Sequence, residues 1–147
     1  MEDIRGNLET YMKEDIALQY LTSAIDNYIA GENLFVVIHL ASAAEEMLGK
    51  LVRMESQQSS LERTQNWFKS WYSHIKKDQP SNSKINKFVL RVKNGIKHID
   101  GEKDLEIELD IQRESHNAIL RALENLNHLP RLKDPLLENK FYRHKRI

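Results

Sequence analysis

Glycine and proline, the residues that most often interrupt helices, are scarce in this chain. The 147 residues include only five glycines and three prolines, which leaves long segments whose apolar side chains recur at helical spacing. The length suits one domain with a core of its own. Because no cysteine is present, disulfides, thiolate metal sites and cysteine nucleophiles are excluded. The sequence therefore predicts an all-α fold, an antiparallel helical bundle of four to five helices.

The expected location is the cytoplasm, without a membrane partner. No run approaches the roughly 20 apolar residues that span a bilayer, and the first residues lack the positive start and apolar stretch of a signal peptide. The absence of cysteine suits a reducing compartment. We assign residues 1–129 to a single helical-bundle domain and residues 130–147 to a basic C-terminal tail. The end of this tail, KFYRHKRI (residues 140–147), is expected to be disordered or loosely docked.

Five helices can be drawn from the periodicity. They run from about Asp3 to Ile29 with a break near Met12, from Asn33 to Met54, from Ser59 or Ser60 to Lys77, from Asn82 or Ser83 through Ile99, and from Asp110 to His128. Gly31 is expected to end the first helix. LEIELDI, residues 105–111, is expected to form an ordered arm or the start of the fifth helix.

The second and third helices are expected to supply much of the core. From Leu34 to Ala44 the second helix carries no formal charge, which is typical of a central helix surrounded by neighbours. His39 is expected to be buried there and hydrogen-bonded. The third helix carries an apolar stripe rich in aromatic residues, for which we expect core packing. The residues of that stripe are Leu61, Trp67, Phe68, Trp71, Tyr72 and Ile75.

The fourth helix separates into two sides when its residues are plotted at about 100° per residue. The apolar side, expected in the core, holds Ile85, Phe88, Val89, Val92, Ile96 and Ile99. The polar side holds Lys87, Arg91, Asn94 and His98. These polar residues are expected to face water or a partner.

Charge is strongly segregated along the chain, although the formal net charge is zero. Residues 1–62 hold 4 basic and 11 acidic side chains, 63–98 hold 9 and 1, 99–130 hold 3 and 8, and 131–147 hold 6 and 2. A basic block of this kind fits a polyanion-binding face, and it equally fits basic and acidic helices that lie side by side.

Two segments resemble the HEPN superfamily, helical-bundle domains of prokaryotic toxin, defence and nucleotidyltransferase-linked systems. HLASAAEEMLGKLV, residues 39–52, is similar to the family's alanine-rich helix, in which A-x-x-A-x-E precedes a leucine-rich run. KNGIKHID, residues 93–100, is similar to its R-N-x-x-x-H segment. The match departs from the family in either register: Lys93 takes the place of the family's arginine, or, if Arg91 is matched, Val92 takes the place of a polar residue.

The resemblance, which covers roughly residues 14–129, implies a site for RNA. In members that are ribonucleases, the histidine and arginine of two subunits meet across a dimer interface and cleave RNA without a metal. A histidine can deprotonate a ribose 2′-hydroxyl while a guanidinium stabilises the phosphorane. The implied catalytic residues are Arg91, Asn94 and His98, the implied nucleic-acid-binding residues are Lys87, Lys93 and Lys97, and the implied supporting residues are Glu45 and Glu46.

The expected partners are RNA or a nucleotide, a cognate partner protein and a second copy of the chain, with no cofactor or metal. Glu45 is expected to cap a helix or to bridge to the basic fourth helix. Seven-residue spacing of Arg91 and His98 is itself unspecific, because Arg121 and His128 repeat it.

Two other interpretations stay open. In the first, a non-catalytic module of the same fold binds a partner protein or small ligand, and His98 makes only structural hydrogen bonds. In the second, the bundle binds a metal through His39, Glu46 and His98, although the Glu-x-x-His pair of di-iron bundles is missing.

Overall fold

A computed structural model describes residues 6–55, 58–75 and 81–144. Its helices are α1 (Lys13–Ala30), α2 (Leu34–Met54), α3 (Ser60–Ile75), α4 (Asn82–Val89), α5 (Arg91–Gly95), α6 (Ile111–Asn127) and α7 (Pro135–His144). Within these ranges there is no strand, so the predicted all-α class is confirmed. None of the described helices is long and apolar enough to cross a membrane.

One hydrophobic core joins α1, α2, α6 and α7. α2 packs against α1 and against α6. Fully buried alanines on all three of these helices allow their backbones to approach closely; they are Ala17, Ala24, Ala41, Ala44, Ala118 and Ala122. Between them lie larger aliphatic side chains such as Leu21, Leu48 and Leu123. Each such side chain contributes about 1.5 to 3 kcal/mol when it is fully buried.

The helices are not all antiparallel. α1 and α2 form an antiparallel pair joined by the short turn at residues 31–33. α2 and α6, however, run parallel, because Ser115 Oγ donates to Leu34 O near the start of both helices, at 3.4 Å, and Asn125 Nδ2 donates to Glu45 O farther along both, at 2.9 Å. The antiparallel order predicted for the whole bundle is therefore wrong for this pair. The segment that contains α3, α4 and α5 leads the chain from the end of α2 back toward the level at which α2 begins. For this reason α6 can run parallel to α2.

Helix ends set by local signals lie close to their predicted positions. α1 begins just after the predicted break at Met12, and residues 6–12, which were predicted to be helical, are irregular. It ends at Gly31, whose left-handed backbone (φ 69°) lets its N–H bond to Tyr28 O at 3.1 Å. α6 begins after Asp110, whose carboxylate accepts a hydrogen bond from the Arg113 N–H at 3.1 Å. The predicted start near Asp3, the predicted end near Lys77 and the side chain of Ile75 lie outside the described residues.

The first part of α2 is less enclosed than the sequence predicts. Phe35 and Val36 are 51% and 48% exposed. His39 is also exposed, so the prediction of a buried histidine is wrong. α1 and α6 cover two sides of α2 here and leave a third side to solvent.

The predicted fourth helix is two short helices. The helix is interrupted at Leu90 and ends at Gly95. Ile85 and Val92 are buried as predicted. Phe88 and Ile99, in contrast, are 59% and 74% exposed, so their predicted place in the core is wrong.

A neighbouring segment passes close to the end of α5. Residues 105–110 are irregular and precede α6, as expected of an ordered arm. A Cβ atom on Gly95 would lie 2.7 Å from Ile107 Cδ1, so a larger residue at position 95 would displace Ile107. Glycine at position 95 thus allows the arm to pass close to the end of α5.

Residues 135–144 form a packed helix, so the loose docking expected of residues 140–147 is wrong for the described residues 140–144. Phe141 of α7 is fully buried, and its ring centroid lies 5.5 Å from that of Tyr28 on α1. Lys140 Nζ also donates a hydrogen bond to Asp26 of α1. Pro135 is the first residue of α7, where a missing N–H costs no helical hydrogen bond.

Candidate nucleic-acid interface

The residues predicted to be catalytic lie on α5 and just beyond it. Arg91 is the first residue of α5, Asn94 is in its last turn, and His98 follows the end of the helix. All three are exposed. The His98 side chain makes no hydrogen bond or ion pair with another residue in the described ranges. Their joint role in catalysis stays a prediction, since that site would require a second copy of the chain.

Arg91 is held by contacts that leave most of its guanidinium accessible. Its Cζ lies 5.5 Å from the centroid of the Phe88 ring. Its Nη2 lies 3.9 Å from Glu114 Oε1, a long ion pair in which the Arg91 side chain is 57% exposed. Exposed pairs of this kind contribute little to stability. The guanidinium can therefore bind a phosphate without giving up a strong internal partner.

The three lysines predicted to bind nucleic acid differ in their surroundings. Lys87 and Lys97 are exposed and make no ion pair with a described residue. Lys93 Nζ instead lies 2.7 Å from Glu46 Oε2, and its side chain is only 16% exposed. The hydrogen bond from Lys93 lowers the pKa of the Glu46 carboxyl, and the positive charges of Lys93, Lys50 and Lys97 lower it further. The Lys93 ammonium is therefore already paired with a carboxylate of the protein itself.

The two glutamates predicted to support the site have separate partners. Glu46 is the one that bridges to the basic helix α5, through Lys93. Glu45 is buried, and its carboxylate accepts hydrogen bonds from Arg121 Nε and from Ser60 Oγ, each at 3.2 Å. The predicted bridge from Glu45 to the fourth helix is therefore wrong. One step along a helix rotates a side chain by about 100°, which turns Glu45 toward α6 and Glu46 toward α5.

Asn125, which no sequence motif marks, fixes the start of α3. Its side chain is buried, its Oδ1 accepts from the Ser60 N–H at 2.7 Å, and its Nδ2 donates to Glu45 O at 2.9 Å. A Cβ on Gly49 would lie 3.1 Å from Asn125 Nδ2. Gly49 thus makes room for the amide. The junction of α2, α3 and α6 is therefore a satisfied polar network that positions α3.

An exposed aromatic cluster lies on α3 and α4, where the sequence predicted core residues. Trp67 and Trp71 are 59% and 45% exposed, and their rings lie nearly parallel, 10° apart with centroids at 6.1 Å. Phe68 contacts Trp67 at 5.1 Å and Phe88 at 5.6 Å between centroids. We call Trp71, Trp67, Phe68 and Phe88 the aromatic row. Arg91 lies at its Phe88 end.

A signal for this exposure was present in the sequence. At about 100° per residue, Phe68 and Tyr72 lie within about 20° of Leu61. Trp71 is about 80° from that line and Trp67 about 120°. The two tryptophans therefore lie together to one side of the packed face of α3, and their angular positions separate them from the core residues.

A separate groove lies between α2, α3 and α5, with a volume of ≈ 210 Å³. Its lining includes Ser42, Glu46, Lys50 and Lys93. Ser42 is 2% exposed, and its Oγ has no hydrogen-bond partner among the described residues. No group of three or more metal-ligating side chains that could hold an ion occurs in the described ranges. The metal interpretation based on His39, Glu46 and His98 thus gains no support.

Comparisons of the chain with models of protein families, with curated proteins and with solved structures found no match. The resemblance to HEPN domains therefore rests on residues 39–52 and 93–100 alone.

Proposed function

We propose that this chain binds RNA through the exposed basic surface of α4, α5 and the turn that follows them. Residues 81–99 contain five lysines and arginines and no aspartate or glutamate. Lys84, Lys87 and Lys97 are exposed and have no ion-pair partner among the described residues. This set of accessible, unneutralised cations is the observation that carries the proposal.

The charge pattern had two interpretations, and the contacts favour the polyanion-binding one. Basic and acidic helices do lie side by side at Lys93, which is paired with Glu46. Arg91 reaches Glu114 only at 3.9 Å, and the other three cations of residues 81–99 remain unpaired in the described part of the chain. A phosphate backbone supplies the missing negative charge, and the release of its counterions drives binding.

The test is the salt dependence of RNA affinity. Fluorescence anisotropy would measure the Kd of a labelled single-stranded RNA at several salt concentrations for the natural chain and for a Lys87→Gln/Lys97→Gln variant. Because each lost phosphate contact removes about 0.7 from the slope of log Kd against log salt, the slope should fall by about 1.4.

Lys133→Gln/Lys140→Gln removes the same charge from the region of α7 and is the matched control. Its affinity and slope should stay close to those of the natural chain. Absence of RNA binding at low salt, or equal losses in the two double variants, would contradict the proposal.

Cleavage of the bound RNA is the further step implied by the resemblance. Arg91, Asn94 and His98 are all exposed, which a site shared between two copies requires. The histidine would act as general base and the guanidinium would stabilise the phosphorane.

A second candidate function is small-ligand binding in the groove between α2, α3 and α5. The unpartnered Ser42 hydroxyl favours it, because a buried hydroxyl without a hydrogen bond is costly and a ligand could satisfy it. Adenosine monophosphate is a suitable probe, since Lys50 is exposed beside the groove and can meet a phosphate. A rise in the melting temperature that is lost in Ser42→Ala would support this function, and no rise would contradict it for this probe.

A further inference from the structure

We infer that the aromatic row stacks against the bases of single-stranded RNA and gives the binding surface a preference for single strands. This inference rests on the proposed RNA binding and goes beyond it, because the cations alone would bind single and double strands alike. It gives a role to Trp67 and Trp71, whose exposed positions are not explained by packing in the core.

The two indoles are placed for stacking. Each is about half exposed, and their planes are nearly parallel, stacked with centroids 6.1 Å apart. Aromatic side chains of this size ordinarily bury 150 to roughly 250 Å². Here much of that area is left in contact with water within the described chain. Nucleobases are flat and stack on such faces with little dependence on sequence.

The row is held in place by contacts between α3 and α4. Gln65 Nε2 donates to Asn86 Oδ1 at 2.7 Å, which ties the two helices together. The edge-to-face contact of Phe68 with Phe88 continues the row across them. Because the rings are fixed before binding, little conformational entropy is lost when a base stacks on them.

Charge lies beside the stacking surface. Arg91 packs on Phe88 at one end of the row, and Lys84 and Lys87 are exposed on α4. Aromatic faces next to cations that follow the backbone are the combination found in proteins that bind single strands. In a duplex the bases are stacked on one another, so a duplex would meet only the cations.

The positive charge around the aromatic row also indicates which kind of molecule binds there. Residues 63–98, which contain the whole row, hold nine basic side chains and one acidic one. Without a polyanion between them, two copies of this surface would repel each other. A polyanion with flat apolar groups complements it in both respects, and single-stranded RNA is such a polyanion.

The test uses the intrinsic fluorescence of the full chain, which contains two tryptophans, both in the row. Uridine-rich single-stranded RNA should quench this fluorescence on binding, whereas a duplex of equal length should quench it far less. Trp67→Ala and Trp71→Ala should each weaken single-strand binding by about tenfold. Their duplex affinity should stay nearly unchanged, since the cations are intact.

Phe35→Ala is the matched control, because Phe35 is an equally exposed aromatic residue on α2, away from the row. Its affinity for both RNAs should equal that of the natural chain. Circular dichroism would check that each variant is folded, and the quenching of the natural chain does not depend on the variants.

The outcomes separate the inference from the proposed function. Equal affinity for single strand and duplex, without quenching and without an effect of either tryptophan variant, would overturn stacking and leave RNA binding intact. No binding of either RNA would overturn both. A concentration-dependent dimer that changes the indole fluorescence without RNA would assign the row to self-association and overturn the inference.

Discussion

Glu45 and Glu46 are adjacent in α2 but have opposite environments. Glu45 is 7% exposed and has two hydrogen-bond donors, Ser60 and Arg121, that hold α3 and α6. Glu46 has a side chain that is 52% exposed and pairs with lysines at the surface. Because a buried charge depends on its partners much more than an exposed one does, the two residues should respond differently to the same substitution.

We predict that Glu45→Gln lowers the free energy of unfolding by about 2 kcal/mol, since the buried hydrogen bonds lose their charged acceptor. Glu46→Gln, the matched control, should lower it by less than about 1 kcal/mol because the Glu46 side chain is half exposed to solvent. Urea denaturation of both variants measures the difference. Equal losses would show that Glu45 has no special place in the junction.

The pair between Glu46 and Lys93 also predicts a pH dependence. The hydrogen bond from Lys93 lowers the pKa of Glu46 below its ordinary value of 4.5. Since the folded pKa lies below the unfolded one, the stabilisation is complete at neutral pH and is lost as the pH falls through the folded pKa. The stability difference between the natural chain and Glu46→Gln should therefore shrink on acidification below pH 4.5. A difference that stays constant would contradict the pairing.

For the helices, boundaries set by local signals can be predicted from the sequence, whereas features that depend on tertiary contacts cannot. Gly31 and Asp110 set the ends of α1 and α6 through their own backbone and capping bonds, so the sequence predicts these boundaries closely. The close approach of Ile107 to Gly95, twelve positions earlier in the chain, is a tertiary contact that no local pattern contains. Pro135 signals a stop and a first helical residue equally well, and only packing decides between them.

The packing of α7 predicts how substitutions on its two sides affect stability. Phe141→Ala should lower the free energy of unfolding by about 3 to 5 kcal/mol, because it leaves a cavity among α1, α6 and α7. Leu136→Ala, on the exposed side of the same helix (80% exposed), should change it by less than about 0.5 kcal/mol. Thermal or urea unfolding measures both. Small effects at both positions would mean that α7 is only loosely docked.

For the molecule as a whole, the basic surface was predicted in part. Helical periodicity correctly turned Lys87, Arg91, Asn94 and His98 toward solvent. It could not show that Lys93 is neutralised by Glu46 from another helix, because pairing across helices depends on the tertiary arrangement. It also placed the tryptophans in the core, since an aromatic residue near the apolar stripe fits a buried and an exposed position alike.

The ribonuclease prediction also belongs to the whole molecule, because it requires two copies. RNA incubated with the natural chain in the presence of a chelator should be cleaved, and the cleavage should be lost in His98→Ala and in Arg91→Ala. Analytical ultracentrifugation should show a dimer under the same conditions. Cleavage that persists unchanged in both variants would come from a contaminant, and its absence in the natural chain would leave a binding module without catalysis.

The most direct measurement is an NMR titration of the isotope-labelled chain with single-stranded RNA. RNA binding through the basic surface predicts chemical-shift changes for the amides of α4 and α5 and for both tryptophan indole N–H groups, with α1 and α7 largely unchanged. No shifts, or shifts confined to the side of the molecule formed by α1 and α7, would contradict it.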